Sequence, residues 1–303
     1  MTTKIRGVLA PVVTPFHADG RVHFEHLLAQ CHWLRRHGVG LAVLGTNSEA
    51  NSLSLEERLQ MLDFLVNEGI DPKAMMPGTG ACDLPTAIAL TRRAVELGCA
   101  GVLTLPPFYY KGVSDEGLFR YYAGIIEAVD SPDLRLYLYH IPQVSGVPIS
   151  LALIDRLLAA YPGQVAGIKD SSGDWANTEA MLKQFEHQDF DVFPGSEEFL
   201  LRGLRAGGAG CISATANVNP GPIHELFLHY EDHGADKRQE ALNKVRGVFK
   251  DYVMMAAMKE AIAHWRKEPD WRHVRPPLVG LSVEQSTQLL EQLQAIGFEM
   301  DFS

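Results

Sequence analysis

The chain alternates short, almost uninterrupted apolar runs with longer stretches in which apolar residues recur every three or four positions. The short runs are GVLAPVVTPF (7–16), GLAVLG (40–45), AMMPGTG (74–80), CAGVLTLP (99–106), LRLYLYHIP (134–142), QVAGIKDS (164–171), DVFPGS (191–196) and AGCISATAN (209–217). Most are apolar on both faces, as a parallel strand covered by helices requires, rather than alternating like a half-exposed strand. The intervening stretches open on helix-start residues. Ser54 with Glu57 makes a capping box, and Asp83, Ser114 and Ser150 stand at N-cap positions. Eight such strand-and-helix units within about 220 residues predict an α/β fold closed as a (β/α)8 TIM barrel, for which about 250 residues is usual.

After residue 220 the strand pattern stops. IHELFLHYEDH, EALNKVRGVFKDYVMMAAMKEAIAHW and VEQSTQLLEQLQAI keep a helical periodicity, broken by the proline-containing WRHVRPPLVGL. The expected organisation is a catalytic barrel over 1–220 and a C-terminal helical extension over 221–303 packed on it, with no low-complexity linker between them.

With 303 residues, 46% hydrophobic and 21% charged, the chain has an ordinary globular composition and enough length for a sizeable core. A net charge of −10 with scattered basic residues argues against a nucleic-acid partner. No run approaches the roughly 18 apolar residues of a membrane span. The four cysteines form no CxxC pair and the opening MTTKIRGVLAPVV lacks a secretory apolar region, so a reduced, cytoplasmic protein is expected. The twelve histidines include neither HExxH nor HxH. No metal is therefore expected, and a metal-dependent barrel enzyme would need ligands converging from separate strand ends.

Barrel chemistry sits at the C-terminal ends of the strands, which here carry GTNSEANS, PPFYYKG, YHIPQ and IKDSSGD. Lys169 ends the run Val165-Ala166-Gly167-Ile168, so its stem begins inside the barrel. Desolvation favours the neutral amine, which attacks carbonyls to form a Schiff base; a lysine that snorkels to solvent or pairs with Asp170 is the alternative. Tyr139 is either a proton shuttle or an aromatic filling the barrel. Tyr137 points the same way but lies farther from the catalytic end. Gly45 and Thr46 offer a tight turn, a hydroxyl and exposed N–H groups able to hold a carboxylate, although a plain strand-to-helix loop uses the same residues.

Taken together and in order, APVVTPF, GTNSE, PPFYY, YHIP, GIKDSSGD, FPGSEE, GCISATANVNP and RPPL resemble the Schiff-base lyase family of dihydrodipicolinate synthase and N-acetylneuraminate lyase across nearly the whole chain. The resemblance implies Lys169 as the imine-forming lysine, Tyr139 as the proton-transfer tyrosine, Thr46 as its hydroxyl relay and Tyr109 as an aromatic completing that relay from a neighbouring subunit. It implies that Thr46 and Asn47 hold the carboxylate of pyruvate or another 2-oxo acid, and that Gly195 and the Ile212 carbonyl lie near the lysine. It implies a homotetramer built as a dimer of dimers. The iminium is the electron sink, so no cofactor beyond the covalent imine on Lys169 is expected.

Several positions depart from the family pattern. Val144 stands where dihydrodipicolinate synthases carry an arginine for the aldehyde substrate's carboxylate, and valine cannot make that bidentate contact. Asn47 replaces a hydroxyl and Ser48 a glycine. His140 replaces asparagine, as either a structural hydrogen-bonding residue or a substrate contact. Glu197 and Glu198 are either helix-start acids or acceptors for substrate hydroxyls. The leading reading is an aldolase or dehydratase acting on pyruvate-derived or sugar-derived 2-oxo acids. A diverged dihydrodipicolinate synthase and a non-catalytic 2-oxo-acid sensor are the alternatives.

Overall fold

The computed structural model describes residues 4–302. Its strands are β1 (Gly7–Ala10), β2 (Gly40–Leu41), β3 (Val102–Thr104), β4 (Leu136–His140), β5 (Val165–Asp170), β6 (Asp191–Pro194) and β7 (Gly210–Ile212). They pair in parallel as two arcs, β2-β1-β7 and β3-β4-β5-β6. Two seams close the arcs into one ring. At one, the Ala209 N–H donates to Val192 O at 3.0 Å beside β6. At the other, the Met76 and Gly78 N–H groups donate to Leu41 O and Val43 O at 2.9 and 2.7 Å, while Pro77 O accepts from Leu103 N–H at 2.8 Å.

This second seam occupies the place of the third predicted strand, but it is held by isolated bridges, Leu41 with Met75 and Gly78 with Leu103. The reason is Pro77, which has no N–H for a continuous ladder. The closed parallel ring with helices around it is the (β/α)8 barrel that the apolar runs predict.

Alternation along each strand sorts the core into two layers. Leu9, Ala42, Met76, Leu103, Tyr137, Tyr139, Phe193 and Ile212 fill the barrel interior, whereas Val8, Leu136, Leu138, Ile168 and Val192 face the surrounding helices. Gly167 leaves room inside for the Tyr137 ring, since a Cβ there would lie 2.7 Å from it. The expected caps form: Ser54 and Glu57 exchange both capping-box bonds, and Asp83, Ser114 and Ser150 accept from Thr86, Gly117 and Leu153 N–H groups.

Helix Pro220–Leu228 covers β1, with Ile223 buried and the Phe227 ring against Gly7. Helices Ala235–Lys250, Met254–Arg266 and Val283–Ala295 follow and pack on one another through Phe249, Trp265 and Phe298. Among the described residues, no helix is long and apolar enough to cross a membrane.

Arg275 ties this C-terminal region to the barrel. Its guanidinium grips both oxygens of Glu57, at 2.9 and 2.5 Å, and donates to the carbonyls of Gly20 and Ser52. These bonds hold the Glu57 carboxyl at a pKa of about 2. Because that value lies below the roughly 4.3 of an unfolded glutamate, the stabilisation is complete above about pH 4.3 and disappears as the pH falls towards 2. Glu57→Gln is expected to lose about 1–2 kcal/mol near neutrality, a figure discounted for partial exposure, and almost nothing below about pH 2. Urea unfolding across that range checks it, and equal losses at both ends would refute the linkage.

Candidate active site

The register of β4, β5 and β6 places Tyr139 beside Lys169 and Lys169 beside Phe193. Since Tyr139 and Phe193 belong to the interior layer, the Lys169 stem runs inside the barrel, where the residue is 2% exposed. Its Nζ lies 4.1 Å from the centroid of the Tyr139 ring. Asp170 does not pair with it. That carboxylate turns the other way and accepts from Thr178 Oγ1 at 2.6 Å, Asn177 Nδ2 at 3.1 Å and Ser172 N–H at 3.0 Å, anchoring the start of helix Trp175–Gln184. The snorkelling and Asp170-paired alternatives for Lys169 are thus both excluded by geometry.

Tyr139 Oη and Thr46 Oγ1 are 3.3 Å apart. Burial works to raise the phenol's pKa, but the Lys169 charge and the hydrogen bonds from Thr46 and Lys169 outweigh it and hold it below the ordinary tyrosine value. Tyr137 is different. Its hydroxyl lies 3.5 Å from Asp191 Oδ2, and burial drives its pKa up. The two tyrosines of one strand face are therefore separated by environment: one meets a cation and a hydroxyl, the other a carboxylate.

Thr46 and Asn47 sit in a tight turn after β2, spanning Thr46–Ser48. Ser48, buried, fixes that turn by accepting from the Gly45 N–H at 3.1 Å, while Thr14 Oγ1 donates to Ser48 O at 2.6 Å. Ser48, where the resemblance leads one to expect a glycine, thus holds the Thr46–Ser48 turn from behind. Next to it, Glu49 takes a left-handed φ of 55° and is clamped by Lys259 and by the Arg275 N–H.

Thr46, Asn47, Tyr139 and Lys169 open into one cavity of about 580 Å³. Gly195 forms part of its wall and is required there, because a Cβ would lie 2.0 Å from Ser171 Oγ. Ile212 ends β7 in the same interior cluster as Tyr139, and Ala214 just beyond it reaches the cavity. Val144, where an arginine was absent from the sequence, lies on the cavity rim with Gln143. His17, His23 and Glu25 approach one another closely enough to share an ion, but none of them lines this cavity.

Three expected site residues are elsewhere. His140 follows the outward phase of β4, and its Nδ1 accepts from the Ile149 N–H at 3.0 Å; burial lowers its pKa, with Asp170 opposing. Its place is structural, holding the loop after β4, and its assignment as a substrate contact is corrected. Glu197 is also corrected. It is 1% exposed, and its two oxygens accept from the Ser213 and Thr215 hydroxyls behind the cavity wall. Its neighbour Glu198 reaches the cavity, paired with Lys250 at 2.5 Å. Tyr109 is 74% exposed and packs edge-on against Tyr110, outside the cavity of its own chain.

The sequence reading missed Arg246, Lys250, Met254 and Met255, which reach the cavity from the C-terminal helices. Their segment reads as amphipathic helix, and nothing in its periodicity says which turn overhangs a strand end. The cysteines take no part. Cys31, Cys99 and Cys211 are buried free thiols, and burial raises all three pKa values, Cys99 to about 12.

A parallel barrel with a buried lysine beside a tyrosine, and a hydroxyl-bearing turn facing them at its strand ends, is the architecture of the class I aldolase-type lyases. The chain matches the dihydrodipicolinate synthetase family over residues 4–296, and it belongs to that family. It is 34% identical over 94% of its length to an uncharacterized DapA-like lyase from Chloroflexus aurantiacus, of which it covers 94%. Its fold superposes on a crystal structure of dihydrodipicolinate synthase from Agrobacterium tumefaciens with a TM-score of 0.89 and 32% identity, covering 96% of this chain and 99% of that one. The TM-score is also 0.89 for YagE, a prophage protein of the dihydrodipicolinic acid synthase family from E. coli K12 solved in complex with pyruvate, at 28% identity over 98% and 100% of the two chains.

Proposed function

We propose that this chain is a Schiff-base-forming lyase, an aldolase or dehydratase, acting on pyruvate-derived or sugar-derived 2-oxo acids. The observation that carries it is the buried Lys169 amine against the Tyr139 ring, with Thr46 closing the relay. The Lys169 nitrogen adds to the C2 carbonyl and water leaves, giving an imine while the Thr46–Asn47 turn holds the C1 carboxylate. Tyr139 then takes a proton from C3, passing it through Thr46, and the C–H electron pair becomes the enamine double bond. The enamine adds to an aldehyde carbon or, in a substrate with a suitably placed hydroxyl, expels it; the reverse of addition is aldol cleavage. The imine supplies the electron sink, so the mechanism uses no cofactor and no metal.

Tyr109 completes the proton relay of a neighbouring subunit in a homotetramer, which accounts for an exposed aromatic pair beside the barrel mouth. The free cysteines suit a reducing cytoplasm. Val144 at the rim, with no bidentate donor, weighs against the synthase alternative.

Borohydride trapping with pyruvate, followed by peptide mass mapping, tests the reading: the reduced adduct is expected on Lys169. An adduct-free, folded protein would overturn it. Tyr139→Phe is expected to retain slow trapping while turnover falls ~10²–10⁴-fold, the usual range for loss of a positioned acid–base group. Equal losses in both would make Tyr139 a packing residue instead.

A further inference from the structure

The wall built by the C-terminal helices carries a cation whose N–H donors are not satisfied. Arg246 lines the cavity with its side chain 13% exposed, and its Nε and Nη1 are buried without a hydrogen-bond partner. Among the described residues it forms an ion pair with Glu197 Oε2, 3.7 Å from Nη1, which is beyond hydrogen-bond range. Glu197 already accepts from Ser213 and Thr215, so it attracts the guanidinium without satisfying its N–H groups. Lys250, the other cation of this wall, is taken by Glu198 at 2.5 Å. Guanidinium donors left without an acceptor in a buried setting are costly, and the acceptor that a guanidinium binds most strongly is a carboxylate.

Arg246 lies apart from the turn that holds C1. Thr46 and Asn47 follow β2, whereas Arg246 stands with Glu198 and Phe199, on the side of Lys169 where β6 ends. The cavity wall also includes Ile141, Phe199, Met254 and Met255, an apolar surface on which a chain of methylenes can pack beside the polar Gln143, Ser171 and Ser196. We infer that the substrate is a 2-oxo diacid, its C1 carboxylate on the Thr46 turn, its C2 on Lys169 and its distal carboxylate on Arg246. This assignment rests on the Schiff-base reading and moves the distal anion site from the β4 loop, where Val144 stands, to the helical extension.

The test compares borohydride trapping of 2-oxoglutarate and 2-oxoadipate with that of 2-oxopentanoate and 2-oxohexanoate, equal in length but lacking the distal carboxylate. Pyruvate serves as the control for imine chemistry. The diacids are expected to half-saturate at concentrations about tenfold or more lower than the matched monoacids, the effect of one charged hydrogen-bonded contact. Arg246→Gln is expected to bring that ratio close to one, and Arg246→Lys, which keeps a charge opposite Glu197, to retain part of it. Pyruvate trapping without a diacid preference in the unaltered protein would overturn this inference alone, as would an undiminished preference in Arg246→Gln. No trapping of pyruvate would overturn the Schiff-base reading and this inference with it.

Discussion

Lys169→Ala is expected to abolish the borohydride-dependent mass gain with every 2-oxo acid and to lower turnover by ~10⁵-fold or more, since the reacting nitrogen is then no longer held against the bound carbonyl. Stability is expected to change little, and in the favourable direction. The amine is buried with no carboxylate partner, Asp170 being committed to Thr178, Asn177 and Ser172, so its removal uncovers no opposite charge. The alkyl stem contributes packing that alanine loses, which offsets part of that gain. This combination separates a catalytic lysine from a structural one: unfolding measurements and activity move independently. Full turnover in the variant would sink the mechanism, and a large loss of stability would show that the amine has a structural partner.

The parts of this site legible in the sequence were those written in strand phase and strand ends. Lys169 at the end of an apolar run, Tyr139 above Tyr137 on the same face, and the turn at Thr46 all follow from the two-residue period and from the rule that barrel loops carry chemistry. The same period also places His140 on the outward face, one position past Tyr139, and weighing it alongside the motif would have kept His140 out of the substrate site. Glu197 was illegible for another reason. Whether a loop acid points into a cleft or back into the wall depends on partners distant in sequence, here Ser213 and Thr215 after β7. Pro77 was visible as a residue, but the barrel keeps it by pairing around it, so a strand position survived without a regular strand. Arg246 needed the packing of the extension itself, since helical periodicity fixes a face and not the turn of the helix that reaches the cleft.

The extension also reaches the neighbourhood of the Thr46–Ser48 turn, through Lys259. This lysine is fully buried on helix Met254–Arg266, where it donates to Glu49 and, at 2.8 Å, to His273 O, with the Phe16 ring 4.5 Å away. Burial pulls its pKa down, and the Glu49 charge works against that pull. Such a pair contributes little net stability compared with apolar residues of the same volume, but breaking it from one side leaves a charge stranded. Lys259→Met is therefore expected to cost about 3–5 kcal/mol in urea unfolding, and Lys259→Met with Glu49→Gln to recover most of it. The double variant carries the sharper consequence. Glu49 sits in the left-handed conformation at the end of the Thr46–Ser48 turn, with its carboxylate pinned by Lys259 and the Arg275 N–H. With stability restored but the pin loosened, weaker half-saturation by pyruvate in the trapping assay is expected, with the imine still forming on Lys169. A double variant that traps pyruvate as tightly as the unaltered protein would show that the pair serves folding alone.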